Sequence, residues 1–168
     1  MIFVQGADEM LDNAQRQKEI EQYHGRLDEL YRSVADWVRS REPSAKFTET
    51  VVELAEQSIG AYKAKSFEIA RPGKTAIRLI PKGIFIIGAH GRVDATSRLG
   101  REILVWTEKG GPHISTTIKE GARVLEQVTR PLYRNVEEGW AWGDERRRRL
   151  LHLTEDVFWN SVVASLSE

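Results

Sequence analysis

The chain has 168 residues with 40% apolar and 30% charged side chains, the make-up of one globular domain able to bury a core without staples. It has no cysteine, which excludes disulfides, thiolate metal sites and cysteine nucleophiles and fits a reducing cytoplasm. Its net charge of zero is uneven: residues 1–60 hold 12 acids and 7 bases, 61–134 hold 6 acids and 14 bases, and 135–168 hold 7 acids and 4 bases. A basic middle can attract a polyanion or face the chain's own acidic ends.

The first residues, MIFVQGADEM, lack the basic start and apolar length of a signal or anchor, and the apolar run 84–87 is far short of a membrane span. Residues 8–41 then read as one long helix. Ile20, Tyr23, Leu27, Leu30, Val34 and Trp37 recur every three or four positions and make an apolar stripe. That stripe either packs on a sheet or pairs with a second subunit or protein partner, in which case Ile20, Leu27 and Val34 form the contact. The part before Ile20 is mostly polar and is expected to project. Pro43 ends the helix. A second helix is expected over 48–59, with Phe47, Val51, Leu54, Ala55 and Ile59 on one face and Gly60 beyond its end.

Strands are expected from residue 65 onward. Phe67 and Ile69 alternate with polar neighbours, Arg71-Pro72-Gly73-Lys74 has the order of a type II turn, and 75–80 returns. After Pro81-Lys82-Gly83 come a strand over 84–96, a loop at 97–100 and a strand over 101–109, so that 65–109 makes an antiparallel sheet core. Thr117 and Glu120 have capping-box spacing, and Ile118, Ala122, Leu125 and Val128 predict a helix over 118–129. Trp140-Ala141-Trp142 is strand-like, Gly143-Asp144-Glu145 supplies a turn, and 150–153 returns. Thr154 caps a last helix, with Glu155 and Asp156 placed well for its dipole. The expected fold is α+β, a single domain over 1–168. Two N-terminal helices and a C-terminal helix pack on an antiparallel sheet of about four to six strands.

The densest chemistry lies on residues 81–109. On a regular strand His90, Arg92, Asp94 and Thr96 share one face, and the opposite face is apolar or small. Gly88 or Gly91 is expected to mark a bulge or a close backbone approach. His90, Arg92 and Asp94 can form a small site, with Asp94 fixing the imidazole or guanidinium; the alternative is a solvated sheet face. The phrase GRVDATSRLGREILVWTEK resembles the motif of the PD-(D/E)xK nucleases, with Asp94 in the first position and Lys109 in the last. That resemblance implies a divalent cation between two carboxylates and a lysine beside the attacking water. Thr107 stands where the second acid belongs, so the resemblance implies at most a divergent or inactive nuclease core.

Arg146, Arg147, Arg148 and Arg149 form the densest charge run. Beside Trp140 and Trp142 they could hold phosphates while the rings stack on bases; equally, the run is a solvated hairpin tip and the tryptophans cover core. The four histidines are scattered without metal-ligand spacing, and no phosphate loop or nucleophile elbow occurs, so no metal or cofactor is expected. The leading expectation is a cytoplasmic, non-enzymatic binding or interaction protein, able to self-associate and without membrane contact. The alternative is a nucleic-acid-associated protein, and a third reading is an enzyme using His90 with Asp94.

Overall fold

A computed structural model of the chain describes residues 2–3, 10–86, 89–111, 113–131, 133 and 136–167. Strand β1 is Ile2–Phe3 and helix α1 is Asn13–Arg41. Asp12 caps α1 by accepting the Gln15 amide at 2.8 Å, and the Gln15 side chain reciprocates. Residues 8 and 9, where the helix was expected to begin, lie outside the described residues. The stripe read from the sequence is buried, from Ile20 through Tyr23, Leu27, Leu30 and Val34. It packs within the chain's own core, so Ile20, Leu27 and Val34 have no apolar face left for a second subunit.

Seven strands follow in an antiparallel sheet, ordered β10-β9-β6-β5-β4-β3-β2. They are β2 (Lys46–Glu56), β3 (Gly60–Ala70), β4 (Ile77–Gly83), β5 (Arg92–Ser97), β6 (Gly100–Thr107), β9 (Gly139–Asp144) and β10 (Arg149–His152). Between β6 and β9 the chain inserts a hairpin, β7 (His113–Glu120) and β8 (Arg123–Pro131). With β1 it makes a separate three-stranded sheet, β1-β7-β8. A C-terminal helix runs through Glu155–Val157, a π-helical stretch Phe158–Val163, and Ala164–Leu166. Thr154 caps it by accepting the Val157 amide. The architecture is thus α+β, with more strands than the four to six expected.

Three local readings are corrected. The second helix does not form: residues 46–56 are β2, paired with β3 through eleven consecutive positions from Lys46↔Ala70 to Glu56↔Gly60. The helix over 118–129 is instead the β7–β8 hairpin, turning at Gly121 with φ 61°, a conformation that glycine adopts freely. The strand over 84–96 is regular only from Arg92, where β5 begins. Gly91, just before it, is a close approach: a β-carbon there would come within 3.1 Å of the Tyr23 ring. Gly88 lies outside the described residues. The turn at 71–74 forms as read, with Gly73 at φ 73° and the Lys74 amide donating to the Arg71 carbonyl at 2.9 Å.

One core cluster joins α1 (Leu30, Val34), the inner sheet face (Phe67, Leu79, Val93, Leu104) and the C-terminal helix (Phe158, Val162, Leu166). Burial of each such side chain contributes roughly 1.5–3 kcal/mol. The polar side chains of α1 are structural too. Strand β3 pairs with β4 only through Phe67–Ile69. Upstream of that ladder, carbonyls of β3 and of Ile59 just before it are met by the helix. Arg16 donates to Ile59 and Ala61, His24 to Lys63, and Tyr31 to Lys65, at 2.5–2.7 Å. On the far side Tyr23 donates to the Arg92 carbonyl and Arg26 to that of His90. Helix α1 therefore completes the backbone bonding where the sheet opens.

Candidate interaction surfaces

Arg92 and Asp94 alternate with Val93 and Ala95 along β5, so they share the outer face, as the period of two requires. That face is not solvated at Asp94, which is fully buried beside Ile80 on β4 and Ile103 on β6. Its carboxylate accepts from Arg92 Nε at 2.7 Å and Nη2 at 3.2 Å. Arg101, from β6, stands 3.7 Å from Oδ2. Both oxygens are thus occupied by guanidinium donors, and Asp94 is neither a free base nor an open ligand. Thr96, next on that face, stands opposite Arg78 on β4 and Arg101 on β6.

His90 belongs to a different group. It lies before β5, edge-on to Trp106, with Nε2 3.4 Å from Glu108. The trio read from the sequence therefore divides into an Arg92–Asp94–Arg101 cluster and a His90–Glu108 pair. Asp94 sits opposite Ile103, whereas Lys109 lies in the turn beyond the end of β6 at Thr107. Thr107 is buried, and its hydroxyl donates to the Glu137 carbonyl. Asp94, Thr107 and Lys109 do not converge. Among the described residues no three histidine or carboxylate groups are gathered to hold a metal ion.

The arginine run forms the turn between β9 and β10. Asp144 organises it, accepting the Arg147 amide at 3.3 Å and Arg149 Nε at 3.1 Å. Desolvation opposes ionisation of Asp144, but these two donors outweigh it and hold the carboxyl below its usual range. Arg146, Arg147 and Arg148 are exposed, and their guanidiniums have no ion pair among the described residues. Trp140 is buried, its indole N–H donating to the Arg26 carbonyl at 2.8 Å. It is a core residue that a base cannot reach. Trp142 is half-buried, its indole N–H held by Glu102 at 2.7 Å, on the wall of a 410 Å³ cleft shared with Arg101 and Arg146.

Among the described residues, four of the exposed large apolar side chains fall on the β7–β8 arm. In the β7–β8 arm every residue over 118–130 is exposed, and Ile118, Val124, Leu125 and Val128 each keep 46–52% of their surface in solvent. Ile118 and Val128 share one face, since Ile118 pairs with Glu126 and Val128 lies two residues on. Strand β1 pairs with β7 at Ser115 and Thr116, and among the described residues no strand lies beyond β8. A sequence signal was present in the β-branched residues of ISTTI and VLEQVT, on either side of a glycine turn. Comparison with models of protein families, with curated proteins and with solved structures gave no match. Functional inference therefore starts from these surfaces.

Proposed function

We propose that this chain is a non-enzymatic interaction protein that self-associates through its β7–β8 arm. The observation that carries this reading is β8, beyond which no strand lies among the described residues and which bears exposed Val124, Leu125 and Val128. An edge strand that pairs antiparallel with a second copy of itself makes the self-complementary contact that a two-fold axis requires. The β8 sequence favours one register. With Val128 opposite Val128, Glu126 of each copy faces Arg130 of the other, and Gln127 faces Thr129. With Gln127 at the axis no opposite charges meet, and with Glu126 at the axis two carboxylates oppose each other. Occupied carboxylates at the sequence-nominated strand, and candidate nuclease positions that do not converge, support a binding rather than a catalytic role. The cysteine-free composition suits the cytoplasm as its location. Among the described residues no helix is long and apolar enough to cross a membrane.

Sedimentation equilibrium of charge-reversal variants tests the reading. Glu126→Arg sets two pairs of like charges against each other and should weaken self-association about tenfold or more; Arg130→Glu should do the same. The double variant Glu126→Arg/Arg130→Glu restores opposite charges and should recover the dimer. A wild-type chain that stays monomeric at high concentration contradicts the reading. So does a double variant no better than either single one, which would indicate non-directional apolar adhesion.

A further inference from the structure

We propose a second, independent surface: the end of the seven-stranded sheet that carries the β3–β4, β5–β6 and β9–β10 turns is a nucleic-acid phosphate-binding ridge. The antiparallel strand order brings these three turns to one end, opposite the end from which the arm departs. Strand order separates neighbouring turns by two strand spacings, about 10 Å each, so the ridge is roughly 20 Å long. Residues 71–78, 96–102 and 144–149, which form the turns and their flanks, contain nine Arg or Lys against three Asp or Glu. Glu42, Glu68 and Asp94 reach these turns from adjacent elements and offset part of that charge. Arg98 is itself engaged, so the positive field rests chiefly on Arg146, Arg147 and Arg148 at the crest of the ridge.

The ridge is also concave. Clefts of about 430 and 480 Å³ lie between the β3–β4 and β5–β6 turns and share Lys74, Thr75 and Arg98. A third, of about 410 Å³, lies between the β5–β6 and β9–β10 turns and is lined by Arg101 and Arg146 together with Glu102, Asp144 and Glu145. Lys74, Arg78 and Arg101 along these clefts already face carboxylates of the chain, so the groups open to a chain of phosphates are chiefly Arg146, Arg147 and Arg148. Trp140 is buried and Trp142 is tied to Glu102, so recognition falls on the phosphate backbone and reads no base sequence.

The test is fluorescence anisotropy with labelled 20-nucleotide single-stranded and duplex DNA and RNA of two unrelated sequences, using the full chain between 50 and 200 mM salt. Vesicles of phosphatidylserine and phosphatidylcholine form a separate arm. Expected is sequence-independent binding whose log K falls linearly with log salt, with a slope of about −2.7 to −4.5 on duplex and about −2.1 to −3.5 on single strands, the range for roughly three to five phosphate contacts. Arg146→Glu/Arg147→Glu/Arg148→Glu, which leaves the Asp144–Arg149 contact in place, should weaken binding at least tenfold with an unchanged melting temperature. Lys119→Glu/Arg123→Glu on the arm should not weaken it. No binding at 50 mM salt, a salt-independent wild-type affinity, equal loss from the arm variant, or binding to vesicles alone would overturn the proposal.

Discussion

Asp94 and Glu42 show how charged residues in this chain act on the fold. Asp94 is buried, and removing it leaves Arg92, itself largely buried, and Arg101 beside an apolar outer row. Asp94→Ala should therefore cost about 3–5 kcal/mol in chemical denaturation. A loss below about 1 kcal/mol would mean that this cluster does not anchor the sheet. Glu42, after the last turn of α1, accepts two hydrogen bonds from Arg71 and one from Lys74, while Arg71 also donates to Ser167. The Arg71 hydrogen bonds, stronger than the opposing desolvation, hold the Glu42 carboxyl at about 2. A carboxyl depressed in the folded state stabilises the protein above its ordinary range and loses that contribution as pH falls toward the depressed value. Unfolding followed from pH 6 down to pH 2 should therefore show stability falling below about pH 4.5, with a shallower fall in Glu42→Gln. Identical profiles would show that this contact does not set the acid limb.

At the scale of elements, α1 was legible because its stripe from Ile20 to Val34 is buried on one side and polar on the other. The meander was legible from turn chemistry, as at Pro72-Gly73. Strand β2 was misread because Phe47, Val51, Leu54 and Ile59 happen to fall at helical intervals. What fixes it as a strand lies in β3: the eleven-residue backbone ladder and the stacking of Phe47 on Phe67. Such cross-strand partners cannot be seen in the periodicity of one segment. The run Thr48, Thr50, Val51, Val52 was the available warning. The β7–β8 arm was misread for another reason: the exposed stretch 118–130 buries no face, so the helical spacing of Ile118, Ala122, Leu125 and Val128 reports no packing. The pairing of Arg92 with Asp94 followed from their spacing, but the burial of Asp94 depends on Ile80 and Ile103 from neighbouring strands. The arm is separable on this account. β6 pairs directly with β9 from Ile103↔Gly143 to Thr107↔Gly139, so the main sheet closes without it. Replacing residues 112–131 by a short glycine–serine link should leave cooperative unfolding intact while abolishing self-association. Loss of cooperativity would instead make the arm part of the folding unit.

For the whole molecule, the fold separates two surfaces at opposite ends of one sheet. The arm departs from the end where β6 meets β9, and the arginine-bearing turns occupy the other end. In a two-fold dimer joined by β8 edges, the basic ridges would lie far from the axis and remain open. Self-association and nucleic-acid binding are therefore expected to be independent: charge reversals on β8 should leave the anisotropy titration unchanged. The absence of native cysteine allows a direct test of the β8–β8 contact. Directly opposed residues in an antiparallel pair have Cα atoms about 4.5–5.5 Å apart, within disulfide reach. The single variant Val128→Cys, oxidised at a concentration where the chain dimerises, should convert to a covalent dimer. Thr117→Cys, held on β7 three strand spacings or about 14 Å from its counterpart, should not. A Val128→Cys chain that stays monomeric under oxidation, or cross-links no faster than Thr117→Cys, would contradict the account.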